Sequence, residues 1–520
     1  MIPSPPPPAP ITHRFRRARL LPWLLAFLGC VTVLPSLAHA ASPRRPPNVI
    51  FILADDLGIG DIGPYGQRHI RTPHLDRLAR EGMRLDRHYS GSPVCAPSRC
   101  VLMTSLHPGH GQIRDNREMQ PEGQLPLAAG TPTLPRLLQE AGYRTGAFGK
   151  WGLGGPGSSG DPLHQGFEEF FGFNCQRVAH NHYPTSLWHN ANRIALRNPP
   201  FPAHQRLPDT SNPASPASYA TFSGTEFAPD LIADRAVEFV HRHRHHPFFL
   251  YVPTTLPHLA LQAPADALAR YTNAFPEEPY LGQASYLPHR TPRAAYAAMV
   301  SRIDDYVGRL LAALDELQLA RDSIVVFTSD NGPLYDRLGG TDTDFFASAL
   351  NLRGRKGSAF EGGIRVPALV RWPGHIPPGS STTRQCGFED WLPTLLDLAG
   401  VALPPSLRTD GHSFAPTLQG RPQTARPFLY REFPAYGGWQ VLWQDDWKLV
   451  GRQLSRQGNR PPAPQWELYR LRTDPSETNN LAARHPRLVR RLRRVMDEEH
   501  VPSSLFPLAA IDDPTTPPGP

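Results

Sequence analysis

The sequence predicts an α/β fold carrying a smaller antiparallel α+β appendage at its carboxyl end. Two features of the chain carry the first part. Apolar, β-rich runs of roughly four to eight residues alternate with helical patterns such as HLDRLAREG, TLPRLLQEAG and AAYAAMVSRIDDYVGRLLAALDEL, as buried parallel strands in βαβ units do. Several of these runs also end in chemically capable residues: NVIFILA (48–54) in Asp55-Asp56, RTGAFG (144–149) in Lys150, FFLYVPTT (248–255) close to His258, and SIVVFTS (323–329) in Asp330-Asn331. The appendage is read from a change of texture after about residue 420. There FLYREF, QVLWQDDWKLVG and WELYRLR look like short strands with QDDW as a hairpin turn, and RHPRLVRRLRRVMDEEH closes as a helix.

The elements follow in chain order. Residues 1–40 have the layout of an export signal: Arg14, Arg16, Arg17 and Arg19, then LLPWLLAFLGCVTVL, then SLAHA with small residues suited to cleavage after Ala40. That apolar run is shorter than the roughly 20 residues of a membrane span, and no later stretch approaches that length. The expectation is an exported protein, periplasmic or secreted, with no membrane span. A large domain is expected over 46–420, the α+β unit over 421–505, and a disordered tail over 506–520. Two Pro- and Ser-bearing stretches, 199–223 and 262–293, read as surface excursions near the strand ends.

Composition excludes some function classes. The four signal arginines supply half of the formal net charge of +8, and the rest is spread without long basic runs, so no nucleic-acid partner is expected. HRHRHH (241–246) reads as the basic end of the helix PDLIADRAVEFV, complementing its dipole. Of the five cysteines Cys30 lies in the signal, and Cys95, Cys100, Cys175 and Cys386 are too scattered for a disulfide scaffold.

In parallel α/β sheets ligands sit outside the carboxyl ends of the strands, so Asp55, Asp56, Lys150, His258, Asp330 and Asn331 are expected on one rim. Either acidic pair alone could be a strand-end turn; together they offer hard oxygen ligands suited to Ca²⁺ or Mg²⁺. Cys95 alone could be a buried small apolar residue or a partner for Cys100. Its neighbours Pro97-Ser98-Arg99 add a hydroxyl and a guanidinium, with Arg99 expected to begin a helix whose amino end favours anions.

The stretch CAPSRCVLMTS resembles the signature of the type I sulfatases, whose cysteine is oxidised by a dedicated enzyme to Cα-formylglycine. The resemblance extends through NVIFILADDLGIGDIGPYG, GYRTGAFGKWGLGG, TSDNGP, GRKGSAFEGGIRVPALVRWPG and WELYRLRTDPSETNNLA. It implies an alkaline-phosphatase-like α/β/α sandwich over the large domain. It further implies one cation per chain, Ca²⁺ in preference to Mg²⁺, held by Asp55, Asp56, Asp330, Asn331 and an oxygen of the hydrated formylglycine at Cys95. Arg99 would orient that hydrate, Lys150 and Lys356 would bind sulfate oxygens, and His258 would stand at the bridging ester oxygen. A formylglycine-generating or other maturation enzyme is the implied partner.

Such a site suits its substrate. A sulfate monoester is an anion, and a dication with two lysines and an arginine neutralises the charge that a nucleophile must approach. One departure stands out: many family members carry a histidine two residues after the first lysine, where this chain reads Lys150-Trp151-Gly152. His110, His180 or the carboxylate of Asp55 are the candidates to replace that base. The segment 172–190, GFNCQRVAHNHYPTSLWHN, mixes hydrogen-bonding and aromatic residues as a sugar site does, with Gln176 and His180 as candidate substrate contacts. The expected activity is therefore hydrolysis of sulfate monoesters of a sulfated sugar or polysaccharide. The alternatives are a phosphate or phosphonate monoester hydrolase of the same superfamily and a non-catalytic protein binding sulfated glycans.

Overall fold

The structure, a computed structural model, describes residues 45–512 apart from 336, 457 and 459–461, together with Pro3, Pro6 and Ala9. The expected export signal lies outside the described residues but for those three positions. Strand Asn48–Ala54 is buried along its whole length, as a continuous apolar run in a parallel sheet should be. Ile50, Ile52 and Ala54 enter one apolar cluster, and Val49, Phe51 and Leu53 enter another, because successive strand side chains point to opposite faces.

This strand lies at the middle of a ten-stranded sheet. It runs parallel to Ser323–Ser329 on one side and Phe248–Pro253 on the other, and Phe248–Pro253 is parallel to Arg144–Lys150. The four strands expected to share a rim are thus consecutive, with their carboxyl ends on one edge. Outward on one flank lie Ala368–Arg371, Met83–Leu85 and Ser380–Thr382; on the other lie Glu169–Phe173, Ser186–His189 and Asn192–Ala195.

Helices cover both faces. Pro73–Arg80, Ala228–Arg242 and Pro292–Glu316 bury apolar residues in the first cluster, and Cys95–Thr104, Leu134–Glu140 and Trp391–Ala399 do so in the second. The result is the expected α/β/α sandwich. Helix Ala228–Arg242 has Asp230 in its first turn and His241 and Arg242 in its last, the polarity expected for HRHRHH. Among the described residues no helix is long and apolar enough to cross a membrane.

The carboxyl-terminal strands Leu429–Phe433, Trp439–Gln444, Trp447–Arg452 and Gln465–Arg470 form an antiparallel sheet in sequence order, with Asp445-Asp446 as the QDDW turn. One face packs Leu442, Leu449 and Leu468 against Leu492 and Met496 of helix Pro486–Glu499. The other packs Val441, Trp443 and Val450 against Tyr89, Val94 and Ile364. The appendage therefore backs directly onto the segment leading into Cys95.

The tail expected to be disordered over 506–520 is ordered in its first part. Phe506 and Leu508 are buried, and Ala509–Asp512 make a short helix. The Ala510 amide donates to the Leu454 carbonyl at 2.9 Å, and Asp512 meets His500 Nε2 at 2.8 Å. The prolines behind the expectation of disorder lie further on, and two apolar side chains suffice to dock the preceding residues. Residues 513–520 lie outside those described.

Candidate active site

The two acidic pairs interlock at neighbouring strand ends. Asp56 turns the chain with φ 66°, and its amide donates to Asp330 Oδ1 at 3.2 Å. Asn331 Nδ2 donates to Asp56 Oδ1 at 2.7 Å and to the Gly332 carbonyl at 2.9 Å. That leaves Asn331 Oδ1 buried with no protein partner among the described residues.

Cys95 sits above this floor as the first residue of helix Cys95–Thr104, all of which is buried. The helix begins at Cys95 rather than at Arg99; Pro97 is tolerated because amides of the first turn have no helical acceptor to lose. Arg99, one turn in, points back into the site. Its Nε and Nη2 donate to Asp330 Oδ2 at 3.1 and 2.8 Å, and Nη1 donates to the Lys150 carbonyl.

The two lysines flank the thiol, each Nζ 3.6 Å from Cys95 Sγ. Lys150 Nζ also donates to Asp55 Oδ2 at 2.5 Å, and Lys356 Nζ to Asp56 Oδ1 at 2.8 Å. Asp55 Oδ1 is 3.4 Å from Cys95 Sγ. Lys356 comes from a loop clamped by its own amide to the Pro333 carbonyl and by the Gly357 amide to the Pro93 carbonyl, at 2.9 and 2.8 Å.

Burial works against every charge here. It pushes Asp330 up to about 6, helped by the charge of Asp55, and raises Asp56 against the pull of Lys356. At Asp55 the same burial is overcome by Lys150, His258 and Arg99, which hold it well below the carboxylate range. Burial and Asp55 also raise the Cys95 thiol, so the unmodified side chain is a protonated thiol, a poor nucleophile at neutral pH.

The donor set fits a hard divalent cation. Three buried carboxylates and the unpartnered Asn331 Oδ1 supply oxygen, and ligand atoms of Asp55, Asp56, Cys95 and His258 all lie within 4.8 Å of one another.

His258 completes the rim. Its Nδ1 donates to the Leu259 carbonyl at 2.7 Å, leaving Nε2 3.4 Å from Asp56 Oδ2. Burial and the charge of Lys356 hold its pKa well below the ordinary value. His180 stacks on the ring of His258 and contacts His204 Nε2 at 3.1 Å, while His204 Nδ1 reaches Ser285 Oγ at 2.8 Å. Tyr286 lies against all three histidines. Beneath them His182 is fixed by the His258 carbonyl and Thr255 Oγ1, both at 3.0 Å.

The sequence alone does not single out His182, His204 or Tyr286. His204 and Tyr286 lie in the two stretches read as excursions, and contact across such loops leaves no periodic trace. Gln176, whose Nε2 has no partner among the described residues, fills the space beside Gly152: a Cβ on Gly152 would lie 2.5 Å from that nitrogen. His110 is engaged elsewhere, by Asp410 at 2.9 Å.

The fold and this rim define a hydrolase of the alkaline-phosphatase-like α/β/α class. The family model described as Sulfatase matches residues 47–401, and a second, "N-sulphoglucosamine sulphohydrolase, C-terminal", matches 355–501. Steryl-sulfatase of Mus musculus is 32% identical over 81% of this chain and 73% of its own length. N-acetylgalactosamine-6-O-sulfatase of Bacteroides thetaiotaomicron is 28% identical over 92% and 97%. Among solved structures, Ps i-CgsB in complex with k-i-k-neocarrahexaose aligns with TM-score 0.69 at 26% identity, over 87% of this chain and 92% of that one. The chain belongs to the type I sulfatase family and is a sulfuric ester hydrolase.

Proposed function

We propose that this enzyme is exported and removes sulfate from a sulfated carbohydrate, after Cys95 has been converted to Cα-formylglycine, with Ca²⁺ held by Asp55, Asp56, Asp330 and Asn331. The observation that carries the reading is the position of Cys95 between two lysine ammoniums, 3.6 Å from each. An anionic ester is drawn to that place, and only a nucleophile other than a buried protonated thiol would act there.

The matured aldehyde would supply the attacking oxygen, and the cation would supply charge on the sulfate oxygens. This chain's residues do the rest. Lys150 and Lys356 bind the sulfate and neutralise charge that develops during transfer. Arg99, held by Asp330, keeps the position at residue 95 oriented. His258 Nε2 handles the proton of the leaving alcohol; a bound sulfate would offset the lysine charge that depresses its pKa, linking proton uptake to substrate binding. Of the candidates for the base that Gly152 lacks, Asp55 lies beside residue 95 and His180 beside His258, so these two carry the proposal.

A carbohydrate substrate is supported by the relatives' names and by a cleft of about 760 Å³ beside His204, lined by Arg177, Asn181, Arg193 and Glu118 among others. These polar and cationic groups alternate with Val178, Phe201 and several prolines, a mixture that suits a ligand with both hydroxyls and apolar faces. Weighing the tryptic peptide 88–99 from protein made with a maturation enzyme, then assaying sulfate release from sulfated sugars, tests the reading. An aldehyde in place of the thiol with sulfate released is expected. A fully thiol-bearing peptide in active enzyme would overturn the formylglycine route, and a preference for matched phosphate esters would overturn the sulfatase assignment of substrate.

A further inference from the structure

A second group of ligand-type side chains lies at the other end of the Cys95 helix. The chain leaves Thr104 through Ser105 into the turn His107-Pro108-Gly109-His110, closed by the His110 and Gly111 amides on the His107 carbonyl at 2.9 and 2.8 Å. The turn sets the two imidazoles nearly parallel, centroids 4.3 Å apart and planes 28° apart. Two carboxylates meet them from distant parts of the chain. Glu499 Oε2, at the carboxyl end of helix Pro486–Glu499, is 2.9 Å from His107 Nε2. Asp410 Oδ1 is 2.9 Å from His110 Nδ1, and its Oδ2 is 3.6 Å from His107 Nε2.

We propose that His107, His110, Asp410 and Glu499 form a second metal site, of zinc type, that staples the Cys95 helix to the carboxyl-terminal helix. Zinc in a tetrahedron with bonds of roughly 2.1 Å sets its ligand atoms about 3.4 Å apart. One ligand atom from each of His107, His110 and Glu499 lies within 4.8 Å of the others; His107 Nε2 is 2.9 Å from Glu499 Oε2, and a single Asp410 oxygen, Oδ2, is 3.6 Å from His107 Nε2 and 3.0 Å from His110 Nδ1, spacings on either side of that value. The donors are two nitrogens and two oxygens, a set that suits zinc, whereas the rim at Asp55 offers oxygens that suit a harder ion.

The surroundings hold the group in place. Asp410 is fixed by the His107 amide on its Oδ2 and by its own amide on the Ser105 carbonyl, both at 2.9 Å. The ring of Tyr430 stands against His107 at 5.0 Å. Gly109 permits the close approach of Glu499: a Cβ there would lie 2.3 Å from the Glu499 carbonyl oxygen. Glu499 and His110 remain partly exposed, with side-chain exposures of 23% and 10%, which leaves an entry path.

The test uses the full chain, stripped with a chelator, incubated with Zn²⁺ and desalted, with bound metal counted by elemental analysis. One zinc is expected in the wild type, retained in Asp330→Ala and lost in His110→Ala and in Glu499→Gln. The partly exposed His110 and Glu499 are chosen so that the variants fold, and circular dichroism checks that they do. Co²⁺ in place of zinc should give the visible absorption of a four-coordinate ion in the wild type and in Asp330→Ala only. Zn²⁺ should raise the wild-type Tm and leave that of Glu499→Gln unmoved. No retained zinc in the wild type, or zinc retained equally in His110→Ala and Glu499→Gln, would show that these residues are joined by hydrogen bonds alone.

Discussion

His180 lies flat against His258, ring centroids 4.9 Å apart and planes 16° apart. The stacking fixes His180 at the reaction rim, and hydrogen bonds run on from it to His204 and Ser285, so an imidazole stands near the rim where Gly152 offers no side chain.

If His180 takes the proton released at residue 95, it must be neutral to accept it; burial and the charge of His258 depress its pKa, so the acid limb that it sets in the kcat–pH profile lies below the ordinary histidine range. His180→Asn should lower kcat about 100-fold, the usual scale for a positioned proton carrier, and remove that limb. A kcat loss with the limb unchanged would assign His180 to packing and leave Asp55 as the base.

Restoring the histidine at position 152 should fail. Gly152 has φ +87°, a conformation that costs an L-residue about 1–2 kcal/mol, and any side chain there meets Gln176. Gly152→His is expected to lower both the denaturation midpoint and activity. Gly152→His with Gln176→Gly should recover part of the activity, because the obstructing amide is gone. Kinetics of the two variants beside the wild type check this.

The cation should act as a ligand of the folded state. At about 100-fold excess over Kd it would stabilise by about 2.7 kcal/mol, so chelation should lower Tm and abolish turnover, and Ca²⁺ should restore both. In Asp330→Ala the Ca²⁺ response should vanish, and activity should not return at high Ca²⁺, since Arg99 has also lost its acceptor. Differential scanning calorimetry with and without Ca²⁺ measures the first part.

Glu389 should contribute to acid sensitivity away from the reaction rim. Burial works to raise its pKa, yet Arg431 and Arg426 hold it at about 2, against an ordinary 4.5; Arg431 clasps it at 2.6 and 3.0 Å. A depressed carboxyl contributes stability that is present above pH 4.5 and lost as pH falls toward 2. The shift corresponds to on the order of 3 kcal/mol. Glu389→Gln should therefore be less stable at pH 6 and show a flatter decline between pH 5 and 2 in urea titrations.

The central architecture was legible because its signal is local. NVIFILA can only be buried, and Asp55-Asp56 after it can only lie at a strand end. The same holds for Asp330-Asn331 and Lys150, and the parallel order of their strands brings them together. Cys95 and Arg99 were legible as a motif, although the helix starts four residues before the expected point.

The histidine stack was only half legible. His180 stood out by its polar neighbourhood, but His204 and Tyr286 reach it from loops of no regular period, and their meeting is set by packing among Leu207, Phe222, Ala260 and Leu287. The grouping of two histidines and two carboxylates was not legible for the same reason, although His110 stood out singly: the members come from residues 107–110, 410 and 499, and no spacing rule links them.

The loop bearing Lys356 is anchored by residues more than 80 positions further along the chain, in and just after the antiparallel sheet. Arg353 on one side of it binds Glu467 and Tyr469 at 3.0 and 2.8 Å. Glu361 on the other receives Trp443 Nε1 and Lys448 Nζ at 2.9 and 3.1 Å, and Lys448 also meets Glu477 at 2.8 Å. A nascent chain that has completed the whole central sheet still lacks the supports of its second lysine. Catalytic competence thus waits on strands Trp439–Gln444, Trp447–Arg452 and Gln465–Arg470, and a chain cut near residue 430 would hold every catalytic side chain yet leave its sulfate pocket open on one side.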